Sequence, residues 1–306
     1  MAHCIVPAAE KILDKKFKVL DKGFVRLVDY LGSDDRIVQA ARVSYGKGTK
    51  TVSDDARLIS RLMRDDHTSP FEQVMFTFHV KLPMFVARQW IRHRTAHVNE
   101  ISGRYSVMGS EFYVPKKADI AFQSTDNKQG RAEDDVDTWL QNEVLESLES
   151  GQEESYKRYE WLLSQNIARE LSRIALPLSL YTEWYWQIDL HNLLRFLKLR
   201  LDPHAQLEIR AYAKVIMDMC KKVCPIAFQA FEEHVLDAER FSKSEMIALK
   251  NMLKGKASGF EGKPQERFEV KLGIAGSKIE RKELGKKLTA ESLLLHKKNL
   301  KHRLTP

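Results

Sequence analysis

Between residues 74 and 82 the chain runs with a period of two. Val74, Phe76, Phe78, Val80 and Leu82 interleave with Met75, Thr77, His79 and Lys81. Successive side chains of a strand point to opposite faces, so this pattern demands a half-buried strand with one apolar face. A strand of that kind needs a sheet around it and a layer packed on its apolar side. Pro83 ends the run and suits the first position of a following helix, MFVARQWIR.

The rest of the chain supplies the packing layer. FVRLVDYL (24–31) reads as a strand or the entry to one. Asp34 and Asp35 form the acidic first turn of a helix through RIVQAARVS, and Ser53-Asp54-Asp55 opens another with Leu58, Ile59, Leu62 and Met63 on one face. A further strand is expected around 111–115 (EFYVP), followed by an exposed polar loop over 117–137. Helices are expected at about 135–149, 152–164 and 166–175, then 189–199 and 203–222, with a resumption after Pro225. The fold class expected is α/β of the mixed α+β kind: an antiparallel-type sheet with packed helices and a helix-rich second half.

Charge divides the chain. Its 306 residues carry a net +8, but residues 240–306 hold 17 Lys+Arg against 7 Asp+Glu, a balance of +10, which leaves −2 for residues 1–239. The body is therefore no polyanion binder, and no nucleic-acid partner is expected of it; the basic tail alone carries that rival reading. The tail's periodicity is weak apart from a helix expected at 288–300. Charged residues make up 30% and apolar residues 43%, and no stretch approaches the ~20 consecutive apolar residues of a membrane span. With no apolar leader at the N-terminus and three cysteines (Cys4, Cys220, Cys224), a cytoplasmic, reducing location is expected. Cys220 and Cys224 lie four apart among apolar residues, the setting of buried, inert thiols.

Chemistry concentrates in RHRTAHVNEISGRYS. Arg92, His93 and Arg94 follow a helix, and seven residues later Ser102 precedes Gly103, Arg104 and Tyr105. Burying so many unpaired cations is costly, so they border a cleft, and clustered arginines suit phosphate. Asn99 and Glu100 add groups for sugar hydroxyls. Spacing alone indicates a site for a phosphorylated ligand and names no reaction. His93 and His97 are also four apart, as two zinc ligands on a helix would be, but the flanking arginines and the missing glutamate oppose a metal site, and none is expected.

The RHR-x7-S pattern resembles the signature of flavin-dependent thymidylate synthases. LDKGFVRLVDYLG, AARVSYG, HTSPFEQVMFTFHVKLPMFVARQW, SEFYVP, ARELSRIALPLSLYTEWYW and FLKLRLDPHAQLEIRAYA are similar to family segments in family order, covering roughly residues 20–230. The resemblance implies the thymidylate synthase-complementing fold and reductive methylation of dUMP to dTMP. It implies FAD as hydride carrier, 5,10-methylenetetrahydrofolate as carbon donor, NADPH as reductant, and a homotetramer with shared active sites. It divides the chain into an N-terminal extension (1–18), a catalytic domain (19–238) and a basic C-terminal extension (239–306).

By the same resemblance, Gln89, Trp90, Ile91 and Arg92 meet dUMP. Glu100, Ile101, Ser102, Gly103 and Arg104 close around its phosphate and sugar, with Arg173 reaching it from another subunit. Ser102 positions substrate rather than attacking it. Arg200 is the catalytic arginine that favours the ionised uracil ring. For FAD the resemblance implies Ser44, Ser69, Arg92, His93, Arg94, Glu100, Asp189, Leu190, His191 and Arg195, with His67 beside the stacked folate and flavin rings. This chain departs from the family in having Gln73 in PFEQ where histidine is common, His97 where a second Ser is frequent, and Asp189, His191 and Arg195 where some members have Asn, Arg and Asn.

Overall fold

A computed structural model describes residues 4–43, 52–125, 130–132 and 134–273. Contacts divide the chain into two units, one ending at Leu236 and one beginning at Asp237.

The first unit opens with α1 (Pro7–Glu10) and β1 (Lys16–Val19), then β2 (Gly23–Leu31), α2 (Asp34–Arg42) and α3 (Val52–Arg64). β3 (Met75–Pro83), α4 (Met84–Trp90) and β4 (His97–Glu100) follow, then α5 (Thr138–Ser164) and α6 (Arg169–Ser172). β5 (Tyr181–Asp189), α7 (Leu190–Arg200), α8 (Leu207–Val223) and α9 (Pro225–Phe231) complete it. The five strands form one antiparallel sheet in the order β1-β2-β3-β5-β4.

The period-two strand lies in the middle of that sheet. Phe76, Phe78, Val80 and Leu82 are buried on one face, joined from β5 by Trp184, Trp186 and Ile188. Helices α4, α7 and α8 cover this face, contributing Trp90, Phe196, Leu197, Tyr212 and Ile216 to one continuous core. Trp90 meets Trp184 and Trp186 edge-on and stacks on Phe196 at 4.9 Å. Burying an aromatic of this size is worth several kcal/mol (roughly 25 cal/mol per Å²), so the tryptophans fix how α4 and α7 sit on the sheet.

Several elements differ from the sequence expectation. Pro83 is the N-cap of α4, with φ −65° and ψ 145°, rather than its first helical residue. The polar stretch after α4 contains an edge strand, β4, whose four residues are all exposed and so carry no alternation. EFYVP forms only an isolated bridge, Phe112 to Leu180. The two helices expected at 135–149 and 152–164 are one: Gly151 faces open space, so it costs only its propensity of ~1 kcal/mol, and Glu153–Lys157 and Glu154–Arg158 pairs support the turns beyond it. The run expected at 166–175 is the short α6 and a 3-10 turn, Arg173–Ala175, set off by the left-handed Asn166. β5 was not anticipated as a strand, although Thr182, Trp184, Trp186 and Ile188 alternate in burial with Glu183, Tyr185 and Gln187.

Residues 7–19 belong to the first unit. Ala9 and Ile12 are buried in its core, and the Tyr30 hydroxyl donates to Glu10 (2.5 Å) and accepts from the Val6 amide (2.7 Å). Cys220 and Cys224 are fully buried, which pushes both thiols well above their ordinary pKa, as their inert reading requires.

The second unit is more ordered than its weak periodicity suggested. α10 (Lys243–Leu253) starts with a capping box between Ser242 and Glu245, and α11 (Gly262–Lys271) buries Phe268 against Phe241 and Phe260. The helix expected at 288–300 lies outside the described residues. No helix among the described residues is long and apolar enough to cross a membrane.

Candidate active site

Three groups of the expected side chains emerge where the elements end. The first lies where α4, α7 and α8 converge. Burial of Trp90 ends α4 against the core, so the chain leaves it as Arg92-His93-Arg94. Arg200, the last residue of α7, donates from Nε to His93 Nε2 at 3.0 Å, and its Nη2 lies 3.5 Å from the Gln89 carbonyl oxygen. The Gln89 amide reaches the Gln206 side chain at 3.5 Å, while Gln89 Oε1 is buried without a partner. Burial chiefly, then the charges of Arg200 and Arg195, hold His93 down to about 4, so its ring is neutral; burial also lowers Arg200. Arg92, Arg94 and Arg195 are exposed and pair with no carboxylate among the described residues. Three unpaired guanidinium groups beside a neutral ring and a vacant amide oxygen fit a phosphate or pyrophosphate attached to a polar heterocycle.

The second group is the turn after β4. Glu100 accepts from the buried Thr182 hydroxyl at 2.6 Å, and the Ile101 amide donates to the Glu183 carbonyl, which anchors the turn to β5. Ser102 Oγ accepts from the Arg104 amide at 3.3 Å and meets no histidine or carboxylate among the described residues, so nothing here activates it as a nucleophile. Gly103 packs against Arg173: a Cβ on Gly103 would lie 3.2 Å from Arg173 Cδ and 3.2 Å from Met108 Sδ. Arg104 pairs with Glu170 at 3.2 Å, and Arg169 donates to the Tyr105 carbonyl at 2.7 Å. Segment 169–175 is thus tied to the serine turn, and both arginines, Arg104 and Arg173, are exposed.

The third group is the turn bearing His67 and Ser69, both exposed, which leads through the 3-10 turn Phe71–Gln73 onto α7. There Asp189 caps α7, accepting from the Asn192 amide (2.9 Å) and side chain (2.7 Å). His191 and Arg195 follow one turn apart on that helix. No hydrogen bond or ion pair among the described residues joins the first group to the second.

Two of the sequence-derived residues do not present side chains here. Trp90 and Leu190 are fully buried in the core, and the Leu190 amide is taken by the Val74 carbonyl, whereas Ile91 and Ile101 are exposed. Ser44 lies outside the described residues. His97 sits on β4, beyond the end of α4, so its spacing from His93 does not place the two on one helical face. Gln206 and Phe196 were missed. Gln206 stood in the HAQ segment just ahead of a helix, as a cap position; Phe196, edge-on to His93 at 4.9 Å, gave only the signal of a core residue.

Comparison with known proteins identifies the family. Residues 26–226 match the profile of the family described as thymidylate synthase complementing protein, and residues 239–274 match one described as thymidylate synthase ThyX C-terminal domain. The flavin-dependent thymidylate synthase of Treponema denticola is 65% identical over 260 residues, covering 85% of this chain and 98% of that protein. That of Treponema pallidum is 58% identical over 272 residues, 89% of each. A crystal structure of the UMP/dUMP methylase PolB from Streptomyces cacaoi, bound with 5-Br dUMP, superposes with a TM-score of 0.65 at 33% identity, covering 72% of this chain and 99% of that one. The chain belongs to the thymidylate synthase complementing family, that of the flavin-dependent thymidylate synthases.

Proposed function

We propose that the chain methylates dUMP to dTMP as a flavin-dependent thymidylate synthase, and that Arg200 is its catalytic residue. FAD, when bound, supplies in its reduced form the hydride that completes the methyl group, with 5,10-methylenetetrahydrofolate as carbon donor and NADPH as reductant. The observation that carries the assignment of roles is the first group, in which a partly buried guanidinium is held beside a neutral histidine and a vacant amide oxygen.

Gln89, Ile91, Arg92 and Arg200 hold the uracil end of dUMP, and Glu100, Ile101, Ser102, Gly103, Arg104 and Arg173 hold its sugar and phosphate. Arg92, His93, Arg94 and Arg195 bind FAD, the arginines matching its pyrophosphate, with Ser44, Ser69, Glu100 and the start of α7 (Asp189, His191) completing the cradle. His67 lies beside the stacked rings. Arg200 carries its charge at every relevant pH, so it abstracts no proton; it stabilises negative charge developing on the pyrimidine. Membership of this family supports a homotetramer with active sites shared between protomers. The first unit, which ends at Leu236 and includes the N-terminal segment, is the catalytic domain, and the location is cytoplasmic.

The purified protein should carry FAD visible in its absorbance spectrum and form dTMP when dUMP, methylenetetrahydrofolate and NADPH are supplied. Arg200→Ala should lower dTMP formation by about a thousandfold while FAD stays bound. Turnover near the wild-type rate would remove Arg200 from this role. Ser102→Ala should raise the KM for dUMP and keep residual activity; complete loss with unchanged dUMP affinity would revive a nucleophilic serine.

A further inference from the structure

Arg200 is held in an unusual way for a residue that must act on a substrate. Its Nε–H goes to His93 Nε2 at 3.0 Å and its Nη2 to the Gln89 carbonyl at 3.5 Å, while Nη1 meets no acceptor among the described residues. The five N–H bonds of a guanidinium lie in one plane, so two anchored positions fix that plane and leave one edge free. Arginine is only a donor. His93 must therefore offer a lone pair at Nε2 and carry its ring hydrogen on Nδ1, facing away from Arg200. Phe196 holds the imidazole edge-on at an interplanar angle of 78° and is itself stacked on the fully buried Trp90 at 4.9 Å. The orientation of the guanidinium is thus traced back to the aromatic core.

We propose that His93 is the positioning residue for Arg200: its Nε2 lone pair fixes the guanidinium plane so that the Nη1 edge is presented to the pyrimidine, while its Nδ1–H is left as a donor to a cofactor oxygen. This rests on the assignment of Arg200 to the uracil ring made above. One imidazole then touches both Arg200 and the cofactor, and the middle residue of Arg-His-Arg serves in geometry rather than as an acid or a base. Burial and the two neighbouring arginines, Arg200 and Arg195, keep it in the neutral form this requires.

Two substitutions separate the two ring nitrogens. Glutamine places its amide oxygen where Nε2 stood; asparagine reaches only the Nδ1 position. With FAD retained in both proteins by absorbance, His93→Gln should keep kcat within about tenfold of wild type, and His93→Asn should lose about a hundredfold, with the KM for dUMP changed less than about threefold. In an Arg200→Lys background, where no Nε–H remains to be held, His93→Asn should cost no more than about threefold further in single-turnover flavin oxidation. Equal losses in the two His93 variants, an active His93→Asn enzyme, or additive losses in the Arg200→Lys background would overturn the proposal. Should His93→Asn fail to fold, a hundredfold loss in folded His93→Gln would overturn it alone. An Arg200→Ala enzyme that still turns over would instead defeat the underlying assignment of Arg200.

Discussion

At the scale of single residues, Asp34 gives the clearest case of a side chain whose local reading and actual task differ. Its position suggests an acidic first turn for α2, yet its carboxylate turns away and accepts from the amides of Ile226 and Ala227, both at 2.9 Å, at the start of α9. Burial, only partly offset by those two bonds, pushes its carboxyl up to about 6 from an ordinary 3.8. Between those values the folded protein holds a proton that the unfolded chain has released, so this group's contribution to stability is greatest below about pH 4 and is lost as pH rises through 6. The unfolding free energy of wild type minus that of Asp34→Asn should therefore fall by about 2 kcal/mol between pH 4 and pH 7, measured by urea titration. A difference independent of pH would show that burial does not raise the Asp34 carboxyl. Arg92, Arg94, Ser102 and Arg104 stand out in the sequence because charge and spacing mark them, whereas Arg173, Arg195 and Arg200 were singled out only through the family resemblance; Asp34 did not stand out, because its partners lie about 190 residues away and no local pattern records them.

Elements were legible where an apolar period stood out in the sequence and illegible where it did not. β2, β3, α2, α3, α7 and α8 alternate or wind with one apolar face, and their bounds in the structure fall close to the reading. β4 has no buried residue, and β5, although its burial alternates, is masked in sequence because consecutive Trp184, Tyr185 and Trp186 put aromatics on both of its faces. The hairpin of β1 and β2 turns on another feature that composition does not advertise. A Cβ on Gly23 would lie 2.0 Å from the Tyr212 hydroxyl and 2.8 Å from the carbonyl oxygens of Lys81 and Val19. The tyrosine could move, but the two backbone oxygens belong to the sheet. Gly23→Ala should therefore destabilise the protein by ~3 kcal/mol, visible as a fall of several degrees in Tm. A neutral substitution would mean that β1 and β2 are free to shift apart.

For the whole molecule, the division at Leu236 separates two cores of different size. Among the described residues of the second unit only Ala248 and Phe268 are buried hydrophobics, whereas the first holds one large cluster and a smaller one around Tyr159. A small unit has little stability to lose. Phe268→Ala, at a cost of about 3 to 5 kcal/mol, should abolish hydrogen-exchange protection across 243–253 and 262–271 and leave the amides of β2, β3 and β5 protected. Loss of protection in the strands as well would mean that the units fold as one. The ladder between β3 and β5 joins residues about a hundred positions apart, from Met75↔Asp189 to Pro83↔Tyr181. A chain leaving the ribosome at roughly 5–20 residues per second therefore holds the apolar side of β3 without its second neighbour for roughly 5 to 20 seconds. During that interval the period-two strand is an exposed, hydrophobic sheet edge, open to pairing with other nascent chains. Slower aggregation-free yields at high expression rate, and their recovery on cooling or with added chaperone, follow from where β5 lies in the order of synthesis.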